Sequence, residues 1–250
     1  MSPLVICFAP HFPDFPDPLL ATDFETNFEQ CDTFILDYAE QWMEDDPDRE
    51  LRYNELSAGR LKYVLPIGCP EETPLEPFTK QLQDTIRGKG KRVILEQSPV
   101  PFAAPSMADI REQLFLGEVD SALAMFREQQ ETFARGMMER DQALISGIIE
   151  REIKTGAKLF LFRGAAHHRY VCKLLNDPSI QVIQYADPPL SERVVAALMM
   201  GESVPPLDFL RVLYSEYNRR GYQNWIALQK ETESLSEQQI RAALPRRHIG

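Results

Sequence analysis

Five short, nearly uninterrupted apolar runs, set between longer stretches of helical pattern, most constrain what this chain can fold into. They are residues 4–8 (LVICF), 33–36 (TFIL), 92–95 (RVIL), 158–162 (KLFLF) and 181–185 (QVIQY). A strand with one wet face alternates apolar and polar residues, whereas a strand buried on both faces does not. Such runs interleaved with helices predict an α/β protein with a mostly parallel central sheet flanked by helices. Residues 62–67 (KYVLPI) are a further strand candidate, which Pro66 confines to an edge or a loop entrance. At 250 residues the chain can bury a real core, and one α/β domain over 1–250 is expected.

Residues 106–155 are helical almost throughout in pattern. Ser106 is a candidate N-cap, Gly117 and Gly136 are expected interruptions, and Gly156 is a natural stop. A C-terminal extension, 206–244, reads as two helices around NRRGYQ. Within it, SLSEQQIRAAL offers a capping box from Ser236 to Gln239. The chain also hints at internal repetition. LVICFAPH and LFLFRGAAH are each an apolar strand, a small-residue turn and a histidine, followed by a helical stretch and a second strand, TFILDYAE or QVIQYAD. Two similar βαβ halves related by a pseudo-two-fold axis would place both strand ends at one edge of one sheet, with the helical segment between them.

That edge is where sites form in open α/β sheets. His11 follows the first strand and His167 the fourth, in a chain with four histidines altogether. Gly164 is expected to turn the chain off the strand, and the two alanines keep that turn small enough for His167 to face the cleft. His168 must point elsewhere than its neighbour. Asp37 and Glu96 end the second and third strands. Two imidazoles with one or two carboxylates are the donor set of a catalytic divalent metal such as Mn, Co or Zn, with a position left for water. Without metal, the same groups make general acid–base pairs. On the helix MMERDQALISGIIEREIK, Asp141 shares the packing face with Met138, Ile145 and Ile148, and a buried acid needs a partner. Arg140, on the flank, is placed to hold an oxyanion or a substrate carboxylate. The proline-rich stretch after His11 reads as a stiff loop, with Phe12 and Phe15 lining a pocket mouth.

Composition removes several alternatives. A net charge of -11 argues against nucleic acid, whose phosphates demand clustered Lys and Arg. The acids crowded into residues 40–50 read as a solvated helix end and loop. Cys7, Cys31, Cys69 and Cys172 are scattered with no C-x-x-C pair. The first residues are apolar only briefly before Pro10 and His11, unlike a secretory leader, and no run is long enough for a membrane span. A reduced, cytoplasmic protein without membrane association is expected.

The segment ERDQALISGIIEREIKTGAKLFLFRGAAHHRYV resembles the signature region of the Tiki/TraB/GumN proteins, within the wider erythromycin-esterase and ChaN-like superfamily. Gly164-Ala165-Ala166-His167 matches the second G-x-x-H motif of that family, and Arg140-Asp141 stands where an Arg-Asn pair is expected. The stretch FAPH, Phe8 to His11, occupies the place of the first G-x-x-H. Asp37 and Glu96 stand at its strand-end glutamates. Phe8, Asp37 and Asp141 depart from the family's Gly, Glu and Asn. The resemblance implies two similar α/β halves with the histidines and acids in one cleft. It also implies one of three activities: metal-dependent peptidase, esterase-like hydrolase with a histidine base, or haem binding. Residues and resemblance together give a metal-assisted hydrolase of amide or ester bonds acting on a small molecule or peptide. His11, Asp37, Glu96 and His167 are the metal ligands, and His11, His167, Glu96 and Arg140 the catalytic groups. Substrate contacts come from Arg140, Asp141, His168 and Tyr170. The alternatives are a non-catalytic protein binding haem or a similar small ligand, with His168 or Tyr170 as contacts, and a metal-free esterase.

Overall fold

The computed structural model describes residues 3–9, 27, 29–36, 92–95, 104–184, 188–218 and 225–244. The strand reading of 62–67, the site readings of His11, Asp37 and Glu96, and the proline-rich loop lie outside them. The chain folds as two compact units, Met1–Pro99 with Glu139–Asp187, and Val100–Met138 with Pro188–Gly250. The helical stretch 106–155 is thereby divided between the two.

Among the described residues the first unit carries five parallel strands: β1 (Leu4–Ala9), β2 (Thr33–Leu36), β3 (Arg92–Leu95), β4 (Leu159–Gly164) and β5 (Gln181–Gln184). Their order is β3-β2-β4-β1-β5. This is the parallel sheet flanked by helices that the apolar runs predict. Leu4, Ile6, Phe8, Ile35, Leu159 and Leu161 form one buried cluster with Leu144, Ile145 and Ile149 of a helical segment and Val171 of a helix. The alternate residues Val5, Cys7, Phe34 and Phe160 are buried too, with the Phe34 and Phe160 rings 5.7 Å apart and nearly parallel. Burial on both faces explains why β1, β2 and β4 lack alternation, whereas β5 is exposed at Gln181, Val182 and Gln184.

The register makes the repeat concrete. β1 and β4 lie side by side, Leu4 opposite Leu159 and Ala9 opposite Gly164. β2 lies beyond β4, with Thr33 opposite Leu159. β5 lies beyond β1, with Val5 opposite Gln181. Matching Leu4 to Leu159 therefore sets Gln181, Val182 and Ile183 on Phe34, Ile35 and Leu36. The same alignment in sequence superposes the Tyr-Ala of DYA on that of QYA. Each half sends its second strand across the first strand of the other.

The second unit is helical. It contains α1 (Met107–Phe115), the first part of α2 (Val119–Ala143), α5 (Leu190–Met199), α6 (Pro206–Asn218), α7 (Trp225–Glu233) and α8 (Glu237–Ala243). Its core joins Ile110, Leu114, Phe126, Val194, Phe209, Leu213 and Ile240. Ser106 caps α1 through a reciprocal box with Asp109, and Gly117 separates α1 from α2 at φ +83. Gly136 does not interrupt: α2 runs through it, because one helical glycine costs only about 1 kcal/mol and flanking residues pack. The C-terminal extension holds three helices among the described residues rather than two, since Ser236 starts a new one after α7. Ser236 accepts from the Gln239 amide while Gln239 returns the bond. Ser236→Ala should therefore cost about 1 kcal/mol, read as a lower urea midpoint.

Candidate active site

α2 passes directly into a π-helical stretch, Leu144–Ile149, and then α3 (Glu150–Lys154). The Glu150 amide donates to the Ile145 carbonyl, the i→i+5 bond of a π turn. The wider turn suits the spacing of the buried side chains. Asp141, Ile145 and Ile149 recur every fourth residue and all are buried, Ile145 and Ile149 in the cluster formed with the strands. Asp141 is thus carried into the core on the packing face, 0% exposed.

The partner comes from β4. Leu159 and Leu161 face the Leu144–Ile149 segment, and the two-residue period of a strand puts Arg163 on that face next, in register with Phe8. Arg163 is also 0% exposed. Its Nη2 and Nε donate to Asp141 Oδ1 at 2.6 and 3.1 Å. After Gly164 the chain makes a 3-10 turn, Ala165–His167, leading into α4 (His168–Leu175). Gly164 itself has φ -61 and ψ 145, a backbone any residue adopts, so the turn does not depend on glycine's conformational freedom. The turn places His167, 3% exposed, with Nδ1 2.8 Å from Asp141 Oδ2 and 2.9 Å from Oδ1.

The result is a buried Arg163–Asp141–His167 row. A guanidinium donates only and an ionised carboxylate accepts only, so His167 Nδ1 carries a proton. In the neutral ring the lone pair then belongs to Nε2. The guanidinium compensates the carboxylate that holds the imidazole, in a place where an unpaired charge is expensive.

The other expected residues stand differently. Tyr170 is buried and its hydroxyl accepts from Gln142 Nε2 at 2.7 Å. His168 is half-buried, its ring 4.9 Å from that of Phe8. Desolvation, helped by the charge of Arg169, pushes its pKa below the ordinary imidazole value. Arg140 is half-buried in the last turn of α2. Burial pushes the Cys172 thiol up, which disfavours a thiolate nucleophile. Among the described residues, no three His, Cys, Asp or Glu side chains gather as a metal-ligand group. Of the four expected ligands, His167 alone lies within the described set.

Arg163 is the residue that sequence reasoning passed over. The signal was there: an arginine two residues beyond LFL, in a strand buried on both faces, must be paired. Compared with protein-family models, curated proteins and solved structures, the chain matches none of them. No helix among the described residues is long and apolar enough to cross a membrane.

Proposed function

We propose that this chain is a hydrolase of amide or ester bonds, metal-assisted, in which His167 presents Nε2 to the reacting centre. The observation that carries the reading is the bond from His167 Nδ1 to Asp141 Oδ2 at 2.8 Å, made by two buried side chains at the carboxyl end of a central parallel strand. A histidine whose far nitrogen donates to a carboxylate is oriented and made more basic, the arrangement found around metal-ligating and base histidines alike. His167 fits a divalent cation as a donor, and His11, Asp37 and Glu96 are proposed to complete the set. Such an ion, when bound, would polarise a carbonyl and make water more acidic. Asp141 fixes the ring, and its buried carboxylate is given to that task rather than to substrate. Arg140 is the proposed oxyanion or carboxylate contact, and the substrate is a small molecule or peptide.

The test uses the full chain, purified without chelator, assayed for transition metal and for turnover of a panel of activated esters and peptide amides. About one equivalent of Mn, Co or Zn, with turnover lost on chelation and regained on reloading, supports the proposal. Turnover without metal leaves His167 as a general base and removes the ion. A Soret band on adding haem, with no turnover, replaces the hydrolase by a ligand-binding protein.

A further inference from the structure

We draw no further inference here: the strongest candidate, the N-terminus of α5, where the buried carboxamide of Gln229 from α7 lies against Ser191, carries nothing, because that carboxamide is already engaged as the cap of the helix, its Oε1 accepting from the Ser191 amide at 2.9 Å, and no second observation there points to a ligand.

Discussion

Arg163→Met should lose about 3–5 kcal/mol of stability, the usual cost of removing one partner from a buried ion pair. Methionine nearly fills the space, so the loss comes from Asp141, left charged at 0% exposure with the guanidinium gone. Hydrogen exchange at the β4 amides reads this loss within the first unit. A change under about 1 kcal/mol would mean that the carboxylate is not sealed from water. The paired replacement Asp141→Leu/Arg163→Met should recover much of the loss, because apolar side chains of matching volume commonly equal or exceed a buried ion pair. What it cannot restore is an acceptor for His167 Nδ1, whose unmet donor costs about 1–3 kcal/mol. The double variant thus separates what the pair does for stability from what it does for the imidazole.

His167→Gln should lower turnover of any substrate found by about 10²- to 10⁴-fold, the range of a general acid–base group. Glutamine keeps a donor toward Asp141, so the fold should tolerate the change, as circular dichroism will show. Asp141→Asn should fall in the same assay by about 10- to 100-fold, the effect of disturbing the group that orients a functional histidine. Wild-type turnover in His167→Gln would remove this residue from the chemistry.

β1, β2 and β4 were legible because both faces are buried, and a short continuous apolar run bounded by turn residues suits little else in a chain of this class. β5, where Gln181, Val182 and Gln184 are exposed, was legible from its apolar pair after a turn signal. TFIL and RVIL stand in the structure with the bounds read from sequence, as Thr33–Leu36 and Arg92–Leu95. The repeat was legible as two similar strings, yet its spatial meaning was not, since the exchange of second strands between halves is a property of pairing. Asp141 was recognised as an acid on a packing face. Its cation was not, because Arg163 lies 22 residues away and meets it only once strand and helix stack. The π turn escaped for a related reason. Leu144 to Ile149 obeys a helical pattern under either hydrogen-bond spacing, and the choice is made by the sheet against which Ile145 and Ile149 pack. At Gly136 and Gly164 composition misled, as each glycine sits in backbone that another residue could adopt.

The exchange of strands also sets a timetable for synthesis. Among the described residues, β1 is paired by β4 and β5, both encoded far downstream. Even the thiol of Cys31, at the threshold of β2, bonds the Leu159 carbonyl across 128 residues of chain. As the ribosome delivers the polypeptide, LVICF emerges before these neighbours and waits for them until residue 184 is free of the exit tunnel. An apolar strand without partners is a nucleus for association between nascent chains. The pairing that gathers two halves into one sheet thus leaves β1, among the described strands, waiting longest for a partner.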